Sequence, residues 1–203
     1  TIGARVPHTA VRALSKALES GPVLLSIPQD STSGALSCAK CHRQARCAKC
    51  SGPLQLPADR SESAPRCQWC GAASIHWTCP GCGHERMRVV RVGAAGTAAE
   101  LAGLFRSVPM VLSSKAQGLV RDVPCKPMIV IATPGFEPRV RPVSNERGAA
   151  GHEYRAVAIL DAWTSLYALG VDARLDTLTA WMRAVSLCAP RSRGGQAQIL
   201  GET

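Results

Sequence analysis

Eight of the ten cysteines in this chain form four Cys-x-x-Cys pairs within 45 residues. The pairs are Cys38/Cys41, Cys47/Cys50, Cys67/Cys70 and Cys79/Cys82. Each pair can supply two thiolates to one metal ion from a single tight turn, and a structural Zn²⁺ takes four ligands in a tetrahedron. The segment is therefore expected to hold two structural Zn²⁺ ions, and the rest of the chain to form the body that carries it.

The spacing of the pairs bears on which cysteines share an ion. Sixteen residues separate Cys50 from Cys67, which is the spacing of a zinc ribbon whose hairpin brings two pairs together. This favours a nested arrangement, in which the first and last pairs form the second site. The rival is sequential pairing, for which the five residues between Cys41 and Cys47 leave little room to turn. With four thiolates each, both sites would be closed to water and structural.

Other candidate ligands are surplus to these two sites. Three histidines lie near the cysteines and are expected to be surface or supporting residues: His42, His76 and His84. Cys125 and Cys188 stand alone in the sequence, and such cysteines are more often buried packing residues than reactive ones.

The composition indicates a globular, basic protein. Hydrophobic residues make up 46% of the chain and charged residues 19%, as in folded domains. The formal net charge of +10 falls to about +6 if eight thiolates bind two Zn²⁺. That charge suits a nucleic acid or another polyanion, although an arginine-rich composition gives the same count without any such partner.

The sequence shows neither a membrane span nor a signal for export. No run of about 18 apolar residues occurs, and no secretory signal is visible. We therefore expect a cytoplasmic location, no membrane partner, and zinc binding rather than disulfides at the paired cysteines, since the cytoplasm keeps thiols reduced. Because the chain begins at Thr1, we expect a fragment or a processed form.

Outside the cysteine segment, short apolar runs alternate with helical patterns. The predicted strands are residues 22–27, 87–92, 108–112, 128–132, 156–160 and 196–200, and the predicted helices begin near Thr9, Thr97 and residue 173. This alternation predicts an α/β fold with a mostly parallel sheet and flanking helices. The cysteine segment is expected to project from one edge of that sheet.

Three local patterns make more specific predictions. Thr97 and Glu100 have the spacing of a capping box, which places a helix start at Thr97. Residues 113–127 and 133–153 are expected to be loops. The helix over 173–188 has five apolar side chains on one face, as a helix packed on a core would: Leu175, Leu178, Trp181, Met182 and Val185.

Several motifs resemble the primosomal protein N′ (PriA) family of replication-restart helicases. They are Gly21-Pro22-Val23-Leu24, Cys38-Ala39-Lys40-Cys41, Cys79-Pro80-Gly81-Cys82-Gly83, Gly96-Thr97-Ala98-Ala99-Glu100-Leu101, Ile129-Val130-Ile131-Ala132-Thr133 and Ala158-Ile159-Leu160-Asp161. The eight-cysteine pattern is the specific part. The resemblance implies a RecA-like second helicase lobe over 1–34 and 86–203, with a two-zinc module inserted at 35–85, and it implies nested pairing.

Two segments that contact nucleotide in active members of that family are altered here. Thr133–Pro138 lacks the Gln-Met and Lys-Gly pairs that follow the equivalent strand, and Arg191 and Arg193 lack the preceding glycines of a Gly-Arg-Ala-Gly-Arg segment. Loss of an arginine from the transferring phosphoryl group costs a factor of roughly 10³ or more in ATP hydrolysis. No phosphate-loop motif occurs either.

These changes resemble the degenerate, actinobacterial-type form of the family, which is thought to lack helicase activity. The Thr133–Pro138 segment and the run Leu160–Trp163 resemble that branch, in which residues 139–153 look like an addition. The resemblance therefore implies no catalytic residues in this chain, although its family is ATP-binding.

The leading hypothesis is a zinc- and DNA-binding protein of replication restart that has lost helicase activity. Its implied partners are DNA forks, single-strand/duplex junctions and other primosome or replication proteins. The basic residues predicted to contact phosphates are Lys40, Arg43, Arg46, Lys49 and Arg66, each with solvated surface charge as its alternative. Two further hypotheses are a fragment of an active ATP-dependent 3'-5' DNA helicase, and an unrelated zinc-ribbon interaction module on an α/β enzyme.

Overall fold

The computed structural model describes residues 7–28, 33–57, 64–92, 94–142, 152–162 and 171–200. Trp163 and residues 143–151, named above, lie outside this part of the chain. The strands are β1 Val23–Ser26, β2 Ser33–Cys38, β3 Leu54–Gln55, β4 Arg66–Cys67, β5 Met87–Val92, β6 Met110–Ser113, β7 Asp122–Pro124, β8 Ile129–Ala132, β9 Arg139–Arg141, β10 Ala156–Ile159 and β11 Gln196–Ile199. The described helices are α1 His8–Leu18, α2 Ala94–Leu104 and α3 Ala173–Ser186.

The chain divides into two compact units. One comprises residues 31–93 and contains the cysteine segment, and the other comprises residues 1–30 and 94–203. The smaller unit reaches beyond the predicted 35–85 at both ends, because β2 and β5 pair with each other over six residues and belong to it. That the two units are a helicase lobe and its zinc insert remains a prediction.

Five parallel strands form the sheet of the larger unit, in the order β11-β10-β1-β8-β6. Every residue of β1, β8 and β10 is buried, as expected for short apolar strands that are covered on both faces. The strand that precedes the cysteine segment along the chain, β1, is the middle strand of this sheet.

Two hydrophobic cores lie on the two faces of this sheet. Successive side chains of the central strands point alternately into one core and the other, as the two-residue period of a strand requires. Leu25 and Ile131 pack with side chains of α1 and α2 on one face. Leu24 and Val130 pack on the other face, with Ala184 of α3. The larger unit is therefore a sheet between two helical layers.

Two helix starts differ from those predicted. Helix α1 begins at His8 after Pro7, with no side-chain cap, so Thr9 lies within the helix. Helix α2 begins at Ala94, and Thr97 is buried inside it. Alanine is the best helix former, and Ala94 packs in the core, so the helix extends past the predicted capping box.

The apolar face predicted for α3 is wrong. Leu175, Leu178 and Met182 are 64%, 53% and 63% exposed, whereas the buried residues of α3 are Thr177 and Ala184. The small Ala184 brings the helix close to the sheet, and Thr177 donates a hydrogen bond from its hydroxyl to the Ala173 carbonyl. Periodicity identified the helix but not the face that packs.

A two-stranded parallel sheet lies where loops were predicted. Strands β7 and β9 pair in the register Asp122–Arg139, Val123–Val140 and Pro124–Arg141. Both valines are buried in the same core as Leu24. Three-residue strands that carry proline and charged residues give too little alternation to be recognised from sequence.

The smaller unit contains an antiparallel sheet in the order β4-β3-β2-β5. Strands β3 and β4 form the short hairpin expected for a zinc ribbon, pairing Leu54 with Cys67 and Gln55 with Arg66. Beneath it, Leu36, Leu54 and Trp77 are buried among the cysteines. So few apolar side chains make a small core, which leaves the cysteine sites to supply much of the stability.

The observed architecture confirms the predicted fold class: a mixed α/β fold with a mostly parallel central sheet, flanking helices and a segment that carries two groups of four cysteines. Among the described helices, none has both the length and the apolar character needed to cross a membrane.

Candidate metal centres

The four Cys-x-x-Cys pairs adopt one backbone conformation, which we call a knuckle. In each, the carbonyl of the first cysteine accepts a hydrogen bond from the amide four residues later, at 2.9 to 3.1 Å. The residue that donates this amide has a positive φ in all four knuckles: His42 (63°), Ser51 (59°), Gly71 (70°) and Gly83 (69°). The left-handed residue reverses the chain just after the second cysteine, so that both thiols point to the same side.

Backbone amides also point at the sulfur atoms. The amides of Lys40, Lys49 and Trp69 lie 3.4 Å from the Sγ atoms of the first cysteines of their knuckles. Burial raises the pKa of the Cys38 thiol, but amide donors outweigh it and lower that pKa to about 6. The amides of Lys49 and Cys50 lower the pKa of Cys47 to about 7 in the same way. These two knuckles thus stabilise the thiolate of their first cysteine, and the thiolate is the form that binds metal. At the second cysteines, amide donors lower the pKa, but burial and the neighbouring thiols outweigh them and raise it to about 11 at Cys41 and about 12 at Cys50.

The knuckles meet in pairs to form two groups of four thiols. The outer group is Cys38, Cys41, Cys79 and Cys82, and the inner group is Cys47, Cys50, Cys67 and Cys70. Cross-knuckle Sγ–Sγ distances are 3.6 Å and 3.5 Å in the outer group, and 3.8 Å and 3.4 Å in the inner group. The structure therefore brings the cysteines together in the nested arrangement and not in the sequential one.

These distances fit a tetrahedral Zn²⁺ in each group. Four sulfurs at about 2.3 Å from a central ion lie about 3.8 Å from one another, and all four ligand atoms of each group fall within 4.8 Å. A disulfide, at about 2.05 Å, would be far shorter. Four sulfur ligands select Zn²⁺ or an iron–sulfur centre over hard cations, and they leave no coordination position for substrate or water.

Two of the predicted DNA-contacting arginines support the inner group. Arg46 and Arg66 each precede the first cysteine of an inner knuckle, and each donates from Nη1 to the carbonyl of that knuckle's left-handed residue. The distances are 3.1 Å to Ser51 O and 3.2 Å to Gly71 O. Sequence analysis missed this role, although the shared position next to a cysteine could have suggested it.

The other three basic residues are exposed on the knuckles. Lys40 and Lys49 hold the same position in two Cys-Ala-Lys-Cys turns, one in each group. The Arg43 guanidinium lies against Gly81, in the second knuckle of the outer group: a Cβ atom at Gly81 would come within 2.6 Å of Arg43 Nη1. Gly81 does not have a positive φ, and a side chain at this position would have to displace the Arg43 guanidinium.

Two tryptophans were not identified from the sequence. Trp77 is buried in the small core and donates from Nε1 to the Arg46 carbonyl at 3.0 Å. Trp69 is 43% exposed, and its ring lies so close to Gly52 that a Cβ atom there would be 2.8 Å away. The presence of two tryptophans inside a cysteine-rich segment could have indicated that they pack around the cysteines.

The surplus residues stay outside the metal groups. Within the described residues, neither group includes a histidine, Cys125 or Cys188. The Cys188 thiol donates to the Gln196 carbonyl at 3.4 Å, and burial raises its pKa. Both isolated cysteines pack against the core of the larger unit.

The two altered segments, at 133–138 and 191–193, lie in the larger unit. After β8, the amide of Gly135 donates to the carboxylate of Glu137, whose side chain is buried and lies 3.8 Å from Arg183. Beyond α3, Arg191–Arg193 forms one turn of 3-10 helix, and Arg193 is paired with Glu153. Arg191 is exposed.

Comparison with known proteins gives a consistent set of relatives. No family model matches the chain. It is 38% identical over 200 residues to the "Probable replication restart protein PriA" of Mycobacterium leprae, and 38% identical over 201 residues to the proteins of that name from Mycobacterium bovis and Mycobacterium tuberculosis strain H37Rv. The match covers 98% of this chain and 29% of each relative. Over that shared length, the chain is similar to a segment of the replication restart protein PriA.

Proposed function

We propose that this segment is a zinc-containing, DNA-binding scaffold of a replication-restart protein. The single observation that carries the proposal is the pair of closed Cys₄ groups, whose knuckles hold Lys40 and Lys49 at equivalent exposed positions. A rigid turn fixes where each ammonium group lies, so less side-chain and backbone freedom is lost on binding a phosphate. The names of the relatives support the setting in replication restart.

Each Cys₄ group would hold one Zn²⁺, which contributes folding energy by cross-linking a unit with a small apolar core. Arg46 and Arg66 would serve the same purpose by fixing the carbonyls of Ser51 and Gly71. Of the five predicted contacts, the better candidates for DNA are thus the other three exposed residues, Lys40, Arg43 and Lys49.

Binding to a fluorescent forked DNA, measured by anisotropy over a range of salt, tests this function. The double variant Lys40→Ala/Lys49→Ala should bind more weakly and lower the slope of log K against log salt by about 1.4 to 1.8, the value for two lost phosphate contacts. The matched control is Arg12→Ala/Lys16→Ala, which removes two charges from α1. An unchanged slope in the first variant would remove the knuckles from the DNA site.

We also propose that the segment does not take part in ATP hydrolysis. Pro134 offers no amide at the end of β8, and Arg193 is paired with Glu153, so the altered segments present few donors for a γ-phosphate. For the longer protein, we propose a cytoplasmic location, with DNA forks and other replication proteins as its partners. DNA-stimulated ATP turnover by that longer protein, abolished by Arg191→Ala/Arg193→Ala, would show the opposite: a fragment of an active helicase.

A further inference from the structure

The ribbon formed by β7 and β9 has one apolar face and one basic face. Val123 and Val140 are buried in the core beneath it. Arg139 and Arg141 flank Val140 and are exposed, as the alternation of a strand requires. The buried valines hold the ribbon against the larger unit, so the basic side chains project from a fixed backbone.

A third arginine joins the two on β9. The Arg139 amide donates to the Arg121 carbonyl at 2.9 Å, which places the exposed Arg121 beside the start of β9. The exposed Lys126 follows shortly after β7. We call Arg121, Arg139, Arg141 and Lys126 the arginine ribbon.

One carboxylate stands among these cations. Asp122 forms a salt bridge with Arg141 at 2.6 Å, and it is the one acidic residue within β7 and β9. The hydrogen bond from Arg141, with the charges of Arg139 and Arg121, lowers the pKa of the Asp122 carboxyl. The ribbon therefore keeps an excess of three positive charges, and Asp122 restrains the rotamers of Arg141.

We propose that the arginine ribbon binds the phosphate backbone of DNA, as a second contact surface separate from the zinc knuckles. Guanidinium groups that project from residues two apart on a strand are about 6.6 Å apart at their bases, so Arg139 and Arg141 can meet different phosphates. Each guanidinium carries five donors in a plane that suits phosphate oxygens. The described ribbon has no aromatic side chain for stacking on bases, so the contact is independent of sequence.

This inference rests on the proposed DNA-binding function but concerns the other unit of the chain. It assigns a role to β9, part of the stretch for which the sequence suggested none. An acidic protein surface is the other class of partner that the charge would suit, and the experiment below separates the two.

The test uses the 203-residue chain with two zinc ions bound and a labelled single strand of about 20 nucleotides, longer than the site of one small binding domain. The variant Arg121→Ala/Arg139→Ala spares the Arg141–Asp122 pair. We expect the salt slope to fall by about 1.4, with zinc content and thermal unfolding unchanged. Arg121→Lys/Arg139→Lys should recover most of the slope, because the slope depends on how many phosphates are neutralised, whichever cation neutralises them. The α1 variant Arg12→Ala/Lys16→Ala again serves as control.

Four outcomes would overturn the proposal. If the slope does not change in the alanine variant while Lys40→Ala/Lys49→Ala lowers it, the ribbon is not a DNA contact and the proposed function stands. If the lysine variant binds as weakly as the alanine variant, charge is not the cause. If the alanine variant loses binding to a poly-glutamate peptide but not to DNA, the ribbon serves an acidic partner. The absence of any binding by the unmodified chain at low salt would remove both proposals.

Discussion

The substitution Gly71→Ala tests the geometry of the inner metal group most directly. Gly71 is left-handed (φ 70°), and a Cβ atom there would meet no atom within 4 Å. The cost therefore comes from the backbone alone, and a left-handed alanine costs about 1 kcal/mol relative to glycine. Because the inner knuckle closes only with this turn, that cost should appear in metal affinity as a loss of about fivefold.

The neighbouring inner knuckle offers the opposite change. Ser51 occupies the equivalent turn with φ 59°, so Ser51→Gly should raise affinity by a factor of about two to five. Competition with a chelator of known affinity measures both changes in the same chain. Gly103→Ala is the control, since that glycine lies in α2, also with nothing within 4 Å of its Cβ, and it should leave metal affinity unaltered.

The test depends on the two substitutions changing metal affinity in opposite directions. Equal affinity of the unmodified chain and Gly71→Ala would mean that the turn at this knuckle does not need a left-handed residue. A loss of affinity in Ser51→Gly would mean that its side chain, and not its backbone, supports the site. Either result would refute the shared knuckle geometry as the basis of the inner group.

Three further predictions follow from burial and contacts. Cys67→Ser should reduce the zinc content by native mass spectrometry from two ions to one, whereas Cys125→Ser should retain two, because only the former lies in a group of four thiols. Tyr154→Phe should cost about 1 to 3 kcal/mol in urea unfolding, because the buried hydroxyl donates to the Pro138 carbonyl at 2.8 Å; a loss below about 0.3 kcal/mol would contradict this. Leu178→Gln should cost less than about 0.5 kcal/mol, since the side chain is 53% exposed, and a larger loss would restore the predicted apolar face of α3.

The success of the sequence predictions depended on whether a local pattern determines the structure. The Cys-x-x-Cys spacing fixes its own turn, and the short apolar runs of β1, β8 and β10 are typical of strands that are covered on both faces. The face of α3 and the pairing of β7 with β9 depend on contacts between residues distant in sequence. Periodicity carries no information about those contacts.

The candidate site also has a part that the sequence predicts and a part that it does not. Ligand positions follow from spacing, but the use of a basic side chain follows from what it reaches. Arg46 and Lys49 carry the same charge on the same inner knuckle, yet Lys49 stays exposed, whereas Arg46 reaches the Ser51 carbonyl. Net charge therefore overestimates how many cations in the smaller unit are available to a partner.

The nested order of the cysteines has a consequence for how two metal ions would be acquired. The inner group closes a loop between Cys50 and Cys67, 17 residues apart, whereas the outer group must join Cys41 to Cys79, 38 residues apart. Once the inner ion is in place, the path from Cys41 to Cys79 through that ion is roughly 15 residues long. The entropic free-energy cost of closing the outer group then falls by about 0.8 kcal/mol. Loading should therefore begin at the inner group, and the outer group should then bind about fourfold more tightly than it would alone. The order of cysteines along the chain is enough to make acquisition cooperative, without any contact between the two ions.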